Sequence, residues 1–284
     1  MKTKIAILTD SSSSLYTVNH KYDNLFMINL PCFIGDEMFT NFEENGDGPF
    51  YEALANTDLI AKTSQPSVGE TIVVFEKIKS LGYTDIIYLP ISKELSGTYE
   101  NGHLAKGMVE GINVEVVSTL TTVSILSRMA LTAAEMANKG STVEEILDRI
   151  ESLKKQWGYY ITVGDLTALV KNGRLSNPKS FIANLLKIKP VIKFNQEGKL
   201  IALKNVRHFN RAIKQIVETV VEEVNAENGE IHIAYTNNTE DVEFVKELIK
   251  EKLPNAKIEV YTLPATVVAH VGLKAIGVGY INNN

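Results

Sequence analysis

The stretch Leu89-Pro90-Ile91-Ser92-Lys93-Glu94-Leu95-Ser96-Gly97-Thr98-Tyr99 decides the predicted fold of this chain. It continues the apolar run 86–89, which predicts a buried strand, and its proline cannot extend a central strand. Its Ser-Gly-Thr tripeptide precedes apolar residues at helical spacing. A strand, a loop and a helix start in this order direct backbone N–H groups to the carboxyl edge of a sheet, where an anion can bind. The same hydroxyls are also usual helix caps, so the stretch predicts either a cap or an anion site.

The segments around this stretch predict a parallel sheet. Strand 85–89, helix 98–109 and strand 113–117 form a βαβ unit, whose two strands run parallel. The first strand, 4–9, ends in Asp10-Ser11-Ser12-Ser13-Ser14, a second hydroxyl-rich turn before a helical start. Because the carboxyl ends of parallel strands meet at one edge of a sheet, we expect both turns to lie at that edge.

Local turn and capping signals place the other elements of the first half. Gly35-Asp36 predicts a hairpin turn, and Ser67 with Glu70 predicts a capping box. Gly140 is a helix stop, and Ser141 is the expected cap of the next helix. The predicted helices of this half are 50–56, 68–81, 98–109, 123–138 and 142–155.

The second half of the chain alternates short strands and helices. Segments 189–195 and 199–206 predict a hairpin across Gln196-Glu197-Gly198. The other predicted strands are 159–163, 231–236 and 257–263, and the predicted helices are 166–170, 178–186, 209–225 and 242–253. We expect a domain boundary near Gly158. The predicted fold class is α/β with two α/β domains: residues 1–158 form a mostly parallel sheet with flanking helices, and residues 159–284 form a mixed sheet with helices.

Composition indicates an ordinary globular protein. The chain has 284 residues, 44% of them hydrophobic and 22% charged, which suits two modest domains. Cys32 is the single cysteine, so no internal disulfide can form and a reducing, cytoplasmic setting is expected. The apolar run at the amino terminus is too short for a signal peptide, and no stretch has the length of a membrane span.

The charge is spread unevenly along the chain. The net charge of −5 argues against general nucleic-acid binding. Residues 171–214 nevertheless carry eleven lysines and arginines against one acid, Glu197, so this segment has a charge of +10 and the remainder −15. Such asymmetry indicates an anionic partner on one face, or else a solvated basic surface.

Several catalytic and cofactor motifs are absent from the sequence. The five histidines show no metal-ligand spacing, and neither a GxGxxG fingerprint in its strand–turn–helix context nor a phosphate loop occurs, so no metal or cofactor is expected. Ser96 does not lie in a GxSxG nucleophile elbow. A Ser96–His270 dyad stays possible, although the sequence supplies no acid to orient the histidine.

Three hydroxyl-rich turns remain as candidate sites. They are 11–14, Thr63-Ser64 and Ser96-Gly97-Thr98. Neutral hydroxyls and a helix amino terminus can together hold a carboxylate or a phosphate. Capping of strand ends and helix starts explains the same residues without a ligand.

Motifs along the whole chain resemble the DegV family of bacterial fatty-acid-binding proteins. These motifs are Ile7-Leu8-Thr9-Asp10-Ser11-Ser12, Lys62-Thr63-Ser64-Gln65-Pro66-Ser67, Ile91-Ser92-Lys93-Glu94-Leu95-Ser96-Gly97-Thr98-Tyr99, Leu166-Thr167-Ala168-Leu169-Val170-Lys171-Asn172-Gly173-Arg174-Leu175, Lys189-Pro190-Val191-Ile192 and His270-Val271-Gly272. The resemblance implies a two-domain α/β protein that holds one long-chain fatty acid in a tunnel. It also implies a partner, a fatty acid kinase that phosphorylates the carboxylate of the bound acid.

The resemblance also implies roles for particular residues. The fatty-acid carboxylate would be held by Thr63, Ser64, Ser96, Gly97, Thr98 and His270. A basic face near the tunnel mouth would comprise Lys171, Arg174 and Arg207, and we expect it to meet the kinase or, transiently, an anionic membrane surface. Candidate tunnel walls are Phe181, Ile182, Leu185, Leu186, Ile192, Val267 and Val268, which core packing explains equally well.

Two departures from the family pattern bear on these expectations. Leu273-Lys274 replaces a Pro-Gly pair after the histidine motif, which affects the orientation of His270. Residues 118–122 replace an Asp-Ser pair and glycines, which we expect to reshape the tunnel and to alter its acyl preference. The leading hypothesis is a fatty-acid carrier without a catalytic step of its own; the alternatives are a serine-dependent acyl hydrolase or transferase using Ser96 and His270, and a phosphate- or nucleotide-binding module.

Overall fold

The structure, a computed structural model, describes residues 3–178 and 188–283. The first half contains, in chain order, β1 (Ile5–Asp10), β2 (Leu25–Ile28), β3 (Cys32–Ile34), β4 (Glu37–Phe39), α1 (Phe42–Asn45), α2 (Gly48–Ala55), β5 (Lys62–Thr63), α3 (Val68–Ser80), β6 (Asp85–Leu89), α4 (Thr98–Lys106), β7 (Asn113–Val116), α5 (Val123–Asn138) and α6 (Val143–Leu153). The second half contains β8 (Trp157–Val163), α7 (Thr167–Lys171), β9 (Leu175–Ser176), β10 (Val191–Phe194), β11 (Leu200–Lys204), α8 (Phe209–Glu223), β12 (Gly229–Tyr235), α9 (Thr239–Lys252), β13 (Lys257–Thr262), α10 (Ala265–Val271) and β14 (Ala275–Asn282).

A parallel sheet forms the centre of the first half, as the sequence predicts. Its strand order is β2-β1-β6-β7, and every adjacent pair runs parallel. Alternate residues of β1 face opposite sides: Ile7 packs towards α5, whereas Leu8 packs towards α3 and α4. Burial on both faces explains the continuous apolar runs of β1 and β6, whereas the edge strand β7 alternates exposed and buried residues.

A small antiparallel sheet, β4-β3-β5, lies beside the parallel one. The predicted hairpin at Gly35-Asp36 is confirmed as the β3–β4 turn. The sequence did not predict that β5, only two residues long, adds to the other edge of β3, where Thr63 pairs with Cys32. This pairing fixes the position of Thr63, which is half-buried.

A seven-stranded mixed sheet organises the second half, in the order β13-β12-β14-β8-β10-β11-β9. The predicted hairpin is confirmed as β10 and β11. One face of the sheet is covered by α8 and α9, with a core of Ile213, Val217 and Ile233. The other face, which includes Tyr159 and Ile161, belongs to the same core cluster as Ile7 of the first half.

The predicted domain boundary and one predicted helix cap can be compared with the structure. Gly158 is the second residue of β8, so the strand of the second sheet already begins at Trp157. Ser141 is not the cap of α6: the cap is Thr142, whose hydroxyl accepts from the N–H of Glu145 in a capping box. In a capping box the acid stands three residues after the cap, and Glu145 is three residues after Thr142 rather than after Ser141. The predicted Ser67–Glu70 box is confirmed, and most of the predicted helix 178–186 lies outside the described residues.

The buried carboxylate of Asp10 joins the end of β1 to the loop after β6. It accepts hydrogen bonds from the Ser12 N–H at 3.0 Å, the Ser12 hydroxyl at 2.5 Å and the Ile91 N–H at 2.7 Å. Burial raises the pKa of Asp10 to about 6, and these hydrogen bonds act in the opposite direction. The carboxylate therefore fixes the loop that carries Ile91 into the centre of the molecule.

Replacing Asp10 is expected to destabilise the fold. Asp10→Ala leaves the buried N–H groups of Ser12 and Ile91 without their acceptor, which costs about 2–4 kcal/mol of unfolding free energy. Urea denaturation followed by circular dichroism measures this loss. The control is Asp58→Ala, an exposed aspartate, and equal midpoints for the two variants would contradict the role given to Asp10.

Candidate functional site

A pocket that is partly open to solvent lies between the two halves of the chain. The mixed sheet contributes Tyr159, Ile161, Phe194 and Leu200, and the first half contributes Leu30, Ile91, Thr122 and Val123. Helix α10 contributes Thr266, Val267, His270 and Val271. Polar side chains gather at one end, which is partly exposed: Thr63, Ser64, Ser96, Arg174 and His270. The cavity is therefore amphiphilic, with a polar end and a largely apolar interior.

A chain of hydrogen bonds crosses the polar end. His270 Nε2 lies 2.9 Å from Thr63 Oγ1, and His270 Nδ1 lies 3.1 Å from Nδ2 of Asn172. The three residues come from β5, α10 and the turn after α7, which are far apart in sequence. The fold therefore brings together the predicted Thr63 and His270, and it adds Asn172.

Asn172 determines which nitrogen of His270 carries the proton. The Asn172 Nδ2 group also donates to the Ala61 carbonyl oxygen at 3.0 Å, so the amide must present its nitrogen there. The Nδ1 atom of His270 must then accept, and Nε2 carries the hydrogen and donates to Thr63 Oγ1. With its acceptor site used, the Thr63 hydroxyl keeps its own hydrogen free to donate into the cavity.

The electrostatics of the site also favour a neutral imidazole at His270. Burial, together with the positive charge of Arg174, lowers the pKa of His270 to about 4. Near neutral pH the imidazole is therefore an uncharged donor. It cannot pair with a carboxylate as a cation; it orients Thr63 instead.

The Ser96 hydroxyl lies on the cavity wall and also serves the start of α4. It is 2.8 Å from Thr98 Oγ1 and accepts from the Thr98 N–H at 3.4 Å. Gly97 is the N-cap residue, and a Cβ there would lie only 1.9 Å from Oε1 of Gln65. Gly97 therefore lets the Thr-Ser-Gln-Pro-Ser segment pack across the Ser-Gly-Thr turn. Gly97 and Thr98 are not on the wall themselves.

The three residues predicted for a basic face have different surroundings. Arg174 lies on the cavity wall, where its Nε donates to the Leu95 carbonyl at 3.2 Å and its Nη1 donates to the Asn172 carbonyl. Lys171 and Arg207 are exposed. Arg174 thus supports the loops of the polar end, while the other two are available to a partner.

A serine hydrolase would need a base that is hydrogen-bonded to the Ser96 hydroxyl. His270, the candidate base, makes other hydrogen bonds. Within residues 3–178 and 188–283, its ring nitrogens are bonded to Thr63 and Asn172, and the Ser96 hydroxyl is bonded to Thr98. The position where a triad would have an acid is occupied by the Asn172 amide, a donor. This geometry orients a donor for a ligand rather than activating a nucleophile.

The backbone beside the cavity is strained at Val123. Its φ angle of +52° lies in the left-handed region, which a β-branched residue rarely adopts. Val123 is 1% exposed and contributes to the wall together with Thr122. Leu120 has a φ angle of +61° but is not on this wall, so the expectation that segment 118–122 reshapes the tunnel stays a prediction.

Of the predicted wall residues that the structure describes, one lies on the cavity wall. Val267 lies on the wall, whereas Ile192 and Val268 are buried in the surrounding core. Phe181, Ile182, Leu185 and Leu186 lie outside the described residues. The walls that sequence reasoning missed, such as Tyr159 and Phe194, come from the inner face of the mixed sheet, which only the packing of the two halves reveals.

The described residues contain neither a candidate metal site nor a candidate membrane-spanning helix. Residues 3–178 and 188–283 contain no group of three or more His, Cys, Asp or Glu side chains placed to hold a metal ion. Within the same ranges, no helix combines the length and the apolar character needed to cross a membrane.

The fold and the site define an α/β protein of two halves with an amphiphilic cavity between them. A family model described as an uncharacterised protein of the DegV family matches residues 4–283. A DegV domain-containing protein of Staphylococcus aureus is 32% identical over 281 residues, which cover 98% of this chain and 97% of the relative. The chain belongs to the DegV family.

Solved structures agree with this assignment. A fatty-acid-binding DegV family protein from Streptococcus agalactiae is 26% identical, with a TM-score of 0.88 over 99% of this chain and 100% of the other. DegV of Bacillus subtilis, described as a fatty-acid-binding protein, is also 26% identical, with a TM-score of 0.84 and the same coverage. The predicted fold class is confirmed.

The state of His270 can be measured directly. In ¹⁵N-histidine NMR spectra we expect His270 to remain the neutral Nε2–H tautomer from pH 8 down to about pH 5, because its pKa is about 4. Asn172→Asp replaces the donor with an acceptor and a negative charge, so it should raise the pKa of His270 and move the proton to Nδ1. Asn138→Asp, at an exposed position, is the control. Protonation of wild-type His270 near pH 6.5 would contradict this assignment.

Proposed function

We propose that the protein binds one long-chain fatty acid, with the carboxylate at the polar end of the cavity and the acyl chain in its interior. The observation that carries the proposal is the cavity itself, an apolar space whose one polar end presents the Thr63 hydroxyl as a donor. The proteins from S. agalactiae and B. subtilis, which share the fold over the whole chain, are described as fatty-acid-binding, and this supports the proposal.

The energetics of such a ligand suit neutral donors. Burial of an acyl chain gains about 0.8 kcal/mol per methylene, so about fifteen methylenes give on the order of 12 kcal/mol before the costs of association. The chain therefore supplies the affinity, and the polar end needs only to replace the hydration of the carboxylate. Thr63 and Ser96 offer hydroxyl groups for this purpose, and Arg174 places a positive charge nearby.

Native mass spectrometry and organic extraction of the purified protein test this proposal. We expect one fatty acid per chain, and Thr63→Val should weaken its binding about tenfold, because the carboxylate loses its oriented donor while the apolar interior is unchanged. Thr219→Val on α8, whose hydroxyl bonds within its own helix, is the matched control. An absence of fatty-acid binding, or equal affinities for the two variants, would overturn the proposal.

The second part of the proposal concerns the fate of the ligand. A carboxylate at the partly exposed end can be handed to a partner kinase, which would phosphorylate it in the cytoplasm. Lys171 and Arg207 are exposed and belong to the positively charged segment 171–214, and Lys171 directly precedes Asn172 of the polar end. An acidic surface on the kinase would complement these charges.

Charge reversal separates this partner surface from the ligand site. The double variant Lys171→Glu, Arg207→Glu should weaken kinase binding at least tenfold and reduce acyl-phosphate formation, with fatty-acid affinity unchanged. Lys246→Glu, Lys250→Glu on α9 is the control for net charge. Unchanged kinase binding would contradict the assignment, and loss of binding only to vesicles containing anionic lipid would identify the surface as a membrane contact instead.

A further inference from the structure

The buried part of the cavity contains hydroxyl groups that an ordinary acyl chain would leave unpaired. Tyr159 is 3% exposed and Thr266 is 5% exposed, and both line the cavity. Neither Tyr159 Oη nor Thr266 Oγ1 has a hydrogen-bond partner within residues 3–178 and 188–283. A buried hydroxyl without a partner destabilises the folded protein. The interior of the cavity is therefore not matched to a purely hydrocarbon ligand.

A third unpaired hydroxyl belongs to Ser124, which is not on the cavity wall itself but lies beside Tyr159. It is fully buried, and its hydroxyl has no hydrogen-bond partner in the described part of the chain. Burial raises the pKa of Tyr159, and the Ser124 hydroxyl beside it lowers that pKa in part, although the two groups do not meet the geometry of a hydrogen bond. Two neighbouring hydroxyls that do not satisfy each other can share one oxygen atom placed between them.

The first turn of α5 provides further donors at this place. Ser124 is the second residue of this 16-residue helix, and the N-cap residue Thr122 gives the helix no side-chain cap, because its hydroxyl donates to the Ser12 carbonyl. Backbone N–H groups of the first turn and the positive end of the helix dipole both favour an oxygen acceptor. Val123, between these two residues, lies on the cavity wall.

The positions of these groups separate them from the carboxylate end. Thr266 lies four residues before His270 on α10, which is about 6 Å along the helix axis. The Tyr159 hydroxyl lies over β14, where a Cβ on Gly277 would be 2.7 Å from it. The unpaired hydroxyl of Thr266 is thus about one helical turn from His270, and that of Tyr159 lies on the inner face of the mixed sheet.

We propose that the interior hydroxyls of Ser124, Tyr159 and Thr266 form a second polar subsite, which binds an oxygen substituent, a hydroxyl or a keto group, on the acyl chain of the ligand. This inference rests on the proposed fatty-acid binding and narrows its substrate class to oxygenated fatty acids. The substituent accepts from Tyr159 or Ser124, and a hydroxyl can also donate to either of them. An unsubstituted chain of the same length leaves these groups unpaired and binds more weakly.

Competition between matched ligands tests the subsite. Native mass spectrometry of the full-length protein would compare stearic acid with hydroxystearic acids that carry the hydroxyl at successive positions from carbon 5 to carbon 12. We expect at least one isomer to bind about tenfold more tightly than stearic acid. Tyr159→Phe and Ser124→Ala should each reduce this preference at least threefold, while stearic acid binds as well as before or better, because each change removes an unpaired oxygen and little volume.

Tyr160→Phe is the control, because Tyr160 is adjacent on β8 but its hydroxyl faces Glu223 on the opposite side of the sheet. If stearic acid binds at least as tightly as every hydroxylated isomer, the hydroxyls hold buried water only and the subsite is refuted. If the preference exists but survives both substitutions, the assignment to these residues is wrong. Failure of all the acids to bind would instead refute fatty-acid binding itself, so the two proposals fail in different ways.

Discussion

The hydrogen bond from the Asn172 amide to His270 is the interaction on which the polar end of the cavity depends. Burial and the charge of Arg174 keep the imidazole neutral, and this hydrogen bond places its proton on Nε2, so that Thr63 accepts from the histidine and retains a hydrogen for a ligand. A cationic histidine would hold a carboxylate more tightly, which the proposed binding and release of a fatty acid do not need. Oriented neutral donors leave the affinity to the apolar interior.

Long-range packing assembles this arrangement from parts that have little local structure of their own. Strand β5 is two residues long and is held by β3, while α10 lies against α7, β5 and β3 and carries His270 near its end. The Asp10 carboxylate and the contact of Ser92 Oγ with the Gly198 carbonyl, 2.9 Å apart, fix the loops that close the cavity between the halves. The site is therefore a product of how the two halves meet.

Local patterns made much of the fold predictable from the sequence. The βαβ unit, both hairpins and the Ser67 capping box follow from apolar runs, turn residues and short spacings, all of which act within a few residues. The family motifs drew attention to Thr63 and His270, which the structure joins by a hydrogen bond. Asn172 lies in the same motif as Arg174, but its sequence position resembles a helix stop, so its contact with His270 could not be inferred. The inner face of the mixed sheet and the unpaired hydroxyls likewise depend on non-local packing.

The proposed function requires a fatty acid in the cavity with its carboxylate at Thr63. A crystal structure of the protein with palmitic acid would show its position. We expect a carboxylate oxygen within hydrogen-bond distance of Thr63 Oγ1, with the chain running past Thr266 of α10 towards Tyr159. A carboxylate at the Tyr159 end, or a ligand bound outside the space between the two halves, would contradict it.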